Sequence, residues 1–185
     1  MISPQQALGE TRRWVELVVV GLNLCPFAAA PMKGERIRYV HCPERDEEGI
    51  YRSLLSELEA LIDLPESSVE TSLFVVPEGL EDFSRYLELF HIAEAVIPQA
   101  GLEGIVQLAS FHPDYCFEGV REEDPANYTN RSPYPMFHLI REAPLARALE
   151  RHTDPEAIPA RNIALLRELG LEEMQRRLAA CREPT

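Results

Sequence analysis

The chain has 185 residues, of which 45% are hydrophobic. This size and composition suit one globular domain with a substantial core. Its 31 acidic residues outnumber the 18 basic ones, which gives a formal net charge of −13. Such an acidic surface repels the phosphates of nucleic acids, so we expect no nucleic-acid partner.

The sequence also lacks the patterns of export and of membrane insertion. No basic stretch followed by an apolar run opens the chain, and the apolar run 14–25 is interrupted by Glu16 and Asn23. The four cysteines have irregular spacing with no CxxC pair. These features predict a cytoplasmic protein with reduced thiols and no membrane contact.

The first 111 residues alternate between helical and extended patterns. Ser3 and Pro4 suit the start of a helix, and Asp46 and the pair 81–82 suit the starts of two more. The predicted strands are 36–42, 69–76 and 104–111. This alternation favours an α/β fold whose sheet is at least partly parallel.

The rest of the chain has mostly helical patterns. Residues 28–34 resemble a loop, and helices are predicted at 136–142, 144–151, 159–169 and 171–181. There is no internal repeat and no linker. The sequence therefore predicts a single α/β domain over residues 1–185, with a small mixed or partly parallel sheet of about three strands and a helical C-terminal part.

The segment 109–142 differs from these regular patterns. It combines two histidines, a cysteine, four prolines and several aromatic residues in a mostly irregular stretch. Long irregular loops in compact domains are usually functional or disordered, and the large apolar groups here favour order. We therefore expect an ordered loop that builds a site.

His112 is the strongest candidate in this segment. It lies where the third predicted strand ends, and Pro113 favours an extended backbone there. Ligands of open α/β sheets bind beyond the carboxyl ends of the strands, so His112 suits a general base or a metal ligand. The alternative is a half-buried histidine bonded to a loop carbonyl.

The stretch 130–135 offers a binding site for a small anion. Prolines at 133 and 135 stiffen it, and Asn130, Arg131 and Ser132 are its candidate ligand-binding residues. His138 and Arg141 lie three apart on the predicted helix 136–142 and would share a face beside them. Alternatively, Arg131 pairs with one of the many acidic residues.

Cys25 is a candidate nucleophile. The run Cys-Pro-Phe-Ala at 25–28 resembles the thiol motif of glutaredoxin-like and omega-class glutathione transferase proteins. In those proteins a strand precedes the cysteine and a helix begins just after it, which lowers the thiol pKa. Here a helix is predicted before Cys25 and a loop after it, so the context argues against the match. Cys25 still suits a nucleophile if a basic group approaches it.

A metal site is the alternative use of these residues. His112 and Cys116 lie four apart, but zinc needs three or four ligands, so another histidine or cysteine would have to join them. No paired ligand spacing occurs, and a buried Cys116 is the simpler expectation. We therefore expect no metal and no other cofactor.

Several stretches together indicate a family. The segments 22–28, 109–113, 125–135 and 138–142 are similar to domain-of-unknown-function family 1415, a bacterial family. The similarity covers nearly the whole chain, and the run Asn-Tyr-Thr-Asn-Arg-Ser-Pro-Tyr-Pro is its most specific part. The resemblance implies a small cytosolic protein from bacteria and implies no activity.

Three functions fit these observations. The first is a small enzyme or binding protein for an anionic molecule, with His112, His138 and Cys25 as catalytic candidates and Arg131 and Arg141 holding the anion. The second is a metal-binding protein, and the third is a protein-interaction module that uses the aromatic loop. P-loop, GxGxxG, GxSxG and HExxH motifs are absent from the sequence. We expect His112, Arg131 and His138 to converge on one cleft with Cys25 at its edge, while the reaction and the oligomeric state stay open.

Overall fold

A four-stranded mixed sheet organises the structure, a computed structural model that describes residues 2–182. The strands are β1 (Ile37–His41), β2 (Thr71–Val75), β3 (Val106–Phe111) and β4 (Met136–Arg141). Their spatial order is β1-β2-β4-β3. The pair β1–β2 is parallel, and β4 runs antiparallel to both β2 and β3. The first three strands therefore point the same way, and β4 fills the gap between two of them.

Helices cover both faces of this sheet. They are α1 (Pro4–Trp14), α2 (Ala29–Lys33), α3 (Glu47–Asp63), α4 (Phe83–Gln99), α5 (Glu142–Leu149), α6 (Ile158–Leu169) and α7 (Leu171–Ala180). A π-helix (Val15–Val20) continues α1, and short 3-10 helices occupy Pro125–Thr129 and Pro155–Ala157. Within residues 2–182, each helix is too short or too polar to cross a membrane. The α/β class and the single domain with a helical C-terminal part agree with the sequence prediction.

The predicted helix starts are confirmed by their caps. The side chains of Ser3, Asp46 and Asp82 accept hydrogen bonds from backbone N–H groups three residues later. These bonds satisfy N–H groups that the first turn of a helix leaves without a partner. Local sequence therefore sets where α1, α3 and α4 begin.

The two faces of the sheet pack against different helices. On the α3/α4 face, Phe74, Phe137 and Leu139 pack with buried residues of α3 and α4. On the α1 face, Leu73, Val75 and Met136 pack with buried residues of α1, the π-helix, α6 and α7. Strand residues alternate between these faces because successive side chains point to opposite sides.

The predicted helix at 136–142 is wrong, because these residues form β4. The stretch is apolar on both sides, and a short apolar run has no period that distinguishes a buried strand from a buried helix. Both neighbouring strands pair with β4 over its length, which satisfies its backbone groups. His138 and Arg141 are three apart on a strand, so they point to opposite faces and do not share the side that we expected.

The loop predicted at 28–34 is also wrong, because its middle forms the single-turn helix α2. The chain after Cys25 therefore enters a helix, as it does in the thiol motif that the sequence resembles. The other half of that context is absent, since the π-helix and a turn precede Cys25 where the motif has a strand.

Candidate functional site

A pocket of about 270 Å³ lies on the α1 face of the sheet, between the strands, the segment from Trp14 to Pro31, and α5. Most of its wall is apolar, formed by residues such as Trp14, Phe27, Leu73, Phe111, Ile140 and Leu145. The polar residues on the wall are Cys25, Glu70, Thr71, His138 and Arg141. An apolar pocket with a few polar groups is the usual form of a small-molecule site.

The segment that carries Cys25 is folded by its own sequence. The π-helix brings the carbonyl of Leu17 so close that a Cβ on residue 21 would meet it at 2.4 Å, which requires Gly21. Asn23 then adopts a positive φ of 53°, a conformation that asparagine tolerates better than most residues. From the far side, Asn162 of α6 donates to the Leu24 carbonyl at 2.7 Å. These contacts fix the backbone just before Cys25.

The Cys25 thiol is neutral near neutral pH. All four cysteines are free thiols, and Cys25 is half-buried in the pocket wall. Burial raises the pKa of Cys25, and the backbone N–H groups of Phe27 and Ala28 lower it to a smaller extent. The two N–H groups lower the thiol pKa, as expected for a cysteine before a helix, but burial raises it more. The thiolate, which is the reactive form, is therefore not favoured in this structure.

His138 lies in the middle of β4, paired with Leu73 of β2 and Ala109 of β3. Its Nε2 lies 2.6 Å from the Thr71 hydroxyl oxygen, and that hydroxyl donates to the Leu139 carbonyl at 2.7 Å. Among residues 2–182 the other ring nitrogen, Nδ1, has no hydrogen-bond partner. No fully buried side-chain nitrogen or oxygen in this part of the chain lacks a partner, so Nδ1 is reachable from the pocket.

Burial lowers the pKa of His138 to about 4. The ring is partly accessible, but only within the largely apolar pocket, where protein atoms replace most of its hydration. Desolvation of this kind disfavours the charged form of histidine. At neutral pH the imidazole is therefore uncharged and able to accept a proton or a hydrogen bond.

The two charged residues of the wall already have partners. Arg141 donates to the carbonyl of Val69 at 3.1 Å, to that of Leu64 at 2.5 Å, and to that of Leu61. Through the carbonyls of Leu61 and Leu64 it therefore caps the end of α3, where the helix leaves carbonyls unsatisfied. Glu70 accepts from Arg36 at 2.6 Å. Nε and Nη2 of Arg141 and Oε1 of Glu70 are thus already engaged within the protein.

His112 lies on the opposite side of the sheet from His138. Its ring is fully buried on the α3/α4 face, with its centroid 5.2 Å from those of Phe83 and Tyr86. Nε2 is 3.0 Å from the Leu80 carbonyl, and Nδ1 accepts from the Asp114 N–H at 3.0 Å. Both nitrogens are occupied within the protein, and burial lowers the pKa of His112. The geometry matches the alternative of a histidine bonded to a loop carbonyl.

Arg131 and its neighbours hold their own loop together. The Arg131 guanidinium donates to the carbonyls of Tyr115 and Glu122 at 3.0 and 2.9 Å. The Asn130 amide donates to the Ser110 carbonyl, and the Ser132 hydroxyl donates to the Tyr134 carbonyl. The expected convergence of His112, Arg131 and His138 on one cleft is therefore wrong. Of the predicted site residues, only Cys25, His138 and Arg141 line this pocket.

Metal ligation by His112 and Cys116 finds no geometric support. Both ring nitrogens of His112 are engaged, and the Cys116 sulfur contacts the carbonyls of Phe117 and Val120 and the side-chain amide of Asn127. Within residues 2–182 no group of three or more histidine, cysteine, aspartate or glutamate side chains is placed to hold a metal ion.

Two residues that define the pocket, Trp14 and Thr71, gave no functional signal in the sequence. Trp14 forms part of its wall, and Thr71 holds the His138 ring. Trp14 belongs to the apolar run before Cys25 and gave only a helical signal. Thr71 gave none, because its contact with His138 requires that β2 and β4 be neighbours, which the sequence did not indicate.

Comparison with known proteins identifies the family without an activity. No curated protein and no solved structure matches this chain. A family model matches residues 6–176, and its description is a protein of unknown function, DUF1415. The match covers nearly the whole chain, and the chain therefore belongs to the DUF1415 family.

Proposed function

We propose that this protein binds a small, neutral and largely apolar molecule in the pocket on the α1 face. The observation that carries the proposal is the pocket itself. Its walls are mostly apolar. Among the described polar residues of the wall, Glu70, Thr71 and Arg141 are engaged within the protein. Among the same residues, Nδ1 of His138 has no hydrogen-bond partner, and the Cys25 thiol makes no hydrogen bond to another side chain. Burial of apolar surface supplies most of the binding free energy in such sites, and the few polar groups supply orientation.

This proposal changes the ligand class that the sequence favoured. A small anion needs an uncommitted cation, and Arg141 is shared among three carbonyls while Arg131 holds the loop around residues 115–122. His138 is neutral above its lowered pKa of about 4. An anion entering the pocket would lose hydration, and the nearest cation, Arg141, already uses its Nε and Nη2 donors within the protein, which is unfavourable.

Toluene provides a direct test, because Trp14 is the single tryptophan and lies in the pocket wall. Saturable change of Trp14 emission is expected in the native protein. Ala109→Phe places a ring in the pocket and should abolish the change. Gln107→Phe lies two residues earlier on the same face of β3, at an exposed position outside the pocket wall, and should preserve it. An unresponsive Trp14 in the native protein would contradict the proposal, provided that thermal melting shows all three proteins folded.

A second candidate function is covalent chemistry at Cys25. The specific observation is that the Cys25 thiol and the free Nδ1 of the neutral His138 lie on the wall of the same pocket. His138 would accept the thiol proton while the sulfur attacks an electrophilic carbon of the ligand. Because burial disfavours the charged form of both groups, the proton would pass to His138 only in concert with the attack by sulfur.

Alkylation by iodoacetamide tests this second function. The sulfur displaces iodide, and the proton passes to His138 or to water. Cys116, also half-buried but engaged by backbone groups, is the matched control in the same mass spectrum. We expect His138→Phe to slow alkylation of Cys25 and not of Cys116, and toluene to protect Cys25 alone. Equal slowing at both cysteines would indicate a general loss of structure and would count against the proposed base.

A further inference from the structure

We propose that Thr71 fixes the tautomer of His138 and thereby makes the pocket selective for neutral ligands that donate a hydrogen bond, such as small alcohols. This inference rests on the proposed binding function and specifies its ligand class. It makes Thr71, which touches no ligand through its own hydroxyl, the positioning residue that sets specificity.

The Thr71 hydroxyl has one proton and two acceptor lone pairs. The Leu139 carbonyl lies 2.7 Å from the hydroxyl oxygen and can only accept, so the Thr71 proton points to Leu139. Nε2 of His138 lies 2.6 Å from the same oxygen. That contact is attractive only if Nε2 carries a proton and donates it to Thr71. The pair of distances therefore assigns the tautomer with the proton on Nε2.

This assignment also determines the protonation state of the other ring nitrogen, Nδ1. The ring is neutral near pH 7, so a proton on Nε2 leaves Nδ1 with a lone pair and no proton. In the described part of the chain Nδ1 has no donor of its own, and it is reachable from the pocket. His138 thus presents a hydrogen-bond acceptor in an apolar wall. An acceptor in such surroundings gains more from a donor than it would in water, because leaving it unpaired beside an apolar ligand is costly.

The ligand that satisfies this wall has a defined chemistry. Its apolar part packs against the side chains of Trp14, Phe111 and Leu73, and one neutral O–H or N–H group donates a hydrogen bond to Nδ1 of His138. A ketone of the same shape would place a second acceptor against Nδ1. The Cys25 thiol, which also lies on the pocket wall, is only a weak donor and compensates a ketone poorly. A pocket of about 270 Å³ limits the ligand to a small molecule.

The tautomer can be observed without any ligand. Nitrogen-15 chemical shifts of the histidine rings distinguish a protonated from an unprotonated nitrogen, and His138→Gln identifies the signals. We expect the Nε2–H form in the native protein and in Thr71→Ser, which keeps the hydroxyl. Thr71→Val removes the acceptor for Nε2–H and should populate the Nδ1–H form. A native protein with the Nδ1–H form would overturn the inference directly.

Selectivity is measured with three ligands that share one ring: cyclohexanol, cyclohexanone and cyclohexanecarboxylate. Trp14 emission reports binding of each. We expect cyclohexanol to bind roughly fivefold more tightly than cyclohexanone, the ratio for one neutral hydrogen bond, and the carboxylate to bind weakest. Thr71→Ser should keep the ratio, and Thr71→Val should bring it close to one. A merely structural role for Thr71 would weaken both neutral ligands equally and leave the ratio unchanged.

The outcomes separate this inference from the function on which it rests. Saturable binding of toluene together with equal affinities for cyclohexanol and cyclohexanone would overturn the selectivity and leave the binding function standing. Failure of toluene and of all three cyclohexyl ligands would overturn both. If Thr71→Val fails to fold, the selectivity is still tested by two measurements. These are the ratio of the cyclohexanol and cyclohexanone affinities in the native protein and in Thr71→Ser, and the tautomer of His138 in the native protein.

Discussion

His112 and His138 lie on opposite faces of one sheet, and the two faces give the same side chain different surroundings. On the α3/α4 face, His112 is fully buried, and both of its nitrogens have partners within the protein. On the α1 face, His138 has a partner for Nε2, while Nδ1 is open to a pocket. Burial lowers the pKa of both rings. The lowered pKa therefore does not distinguish a structural histidine from a functional candidate. The number of ring nitrogens that have a hydrogen-bond partner within the protein does distinguish them.

This difference implies that the two histidines contribute differently to stability. His112 fills space between aromatic rings and satisfies a carbonyl and an N–H group, as a core residue does. His138 borders empty volume and satisfies only one partner. The following predictions test whether this contrast between a closed face and an open face holds.

The largest effect is expected for His112→Ala. The substitution leaves a cavity beside Phe83 and Tyr86 and removes the partners of the Leu80 carbonyl and the Asp114 N–H. The free energy of unfolding should fall by about 3–4 kcal/mol, as for large core truncations with unpaired buried groups. Urea denaturation measures it.

His138→Ala is the matched substitution on the open face. It enlarges a pocket that already exists, and Thr71 keeps its bond to the Leu139 carbonyl. We expect a loss of about 1–2 kcal/mol, below that of His112→Ala. Equal losses at the two positions would show that the faces do not differ in the way proposed.

The second prediction concerns pH. Histidine has a pKa near 6.5 when unfolded, and burial lowers that of His138 to about 4, so the unfolded chain binds more protons between these values. Stability from this group is fully present above pH 6.5 and is lost as the pH falls toward 4. The free energy of unfolding should decrease by about 3 kcal/mol at most over this window on account of His138.

Denaturation of His138→Phe at several pH values isolates this contribution. The variant should lose less stability between pH 6.5 and 4 than the native protein does. Some pH dependence must remain, because burial also lowers the pKa of His112. Parallel curves for the two proteins would mean that His138 is well hydrated and that the pocket is wetter than its apolar wall suggests.

The sequence correctly placed His112 just after a strand, but the expected cleft shared with His138 was wrong, because the face of a residue is a local property and the position of a pocket is not. Alternation along the predicted strand 104–111 puts His112 on the same face as Val106 and Leu108, and both of these residues pack on the α3/α4 face. Helix starts at Ser3, Asp46 and Asp82 were also correct, because capping is local. These features depend on residues within a few positions of each other.

Features that depend on distant pairing were not predictable in the same way. The run 136–141 has no helical or strand period, and it becomes a strand because β2 and β3 flank it. This placement separates His138 from Arg141 and brings Thr71 to His138. Arg131 and Arg141 were candidates for anion binding, but backbone carbonyls that no sequence pattern reveals already use their donors.

The third prediction is for Arg141, whose side chain points away from His138 and caps the end of α3. Arg141→Met keeps much of the aliphatic stem and removes the donors to the carbonyls of Leu61, Leu64 and Val69. We expect a loss of about 2 kcal/mol in the free energy of unfolding, the order expected for charge-assisted hydrogen bonds to a helix end. The affinity for toluene should change little, because the guanidinium is not part of the proposed contact.

Arg147→Met is the control for Arg141→Met. Arg147 of α5 pairs with Glu66 at the surface, and both side chains are exposed. Such pairs contribute little, so stability should change by less than about 1 kcal/mol. If Arg141→Met instead left stability intact and altered binding of cyclohexanecarboxylate, the guanidinium would be available to ligands, and the anion site favoured by the sequence would regain support.

The smallest effect is expected for Cys25→Ser. Its side chain faces the pocket, where a hydroxyl remains able to reach water, so the free energy of unfolding should change by less than about 0.5 kcal/mol. Cys42→Ser is the matched substitution on the α3/α4 face, where the residue is 2% exposed and packs in the core. There the polar group is buried with only a distant carbonyl, that of Glu44 at 3.9 Å, so a loss of about 1–2 kcal/mol is expected. Two equal losses in urea denaturation would mean that Cys25 belongs to a closed core, and the face that carries His138 would then offer no room for a ligand.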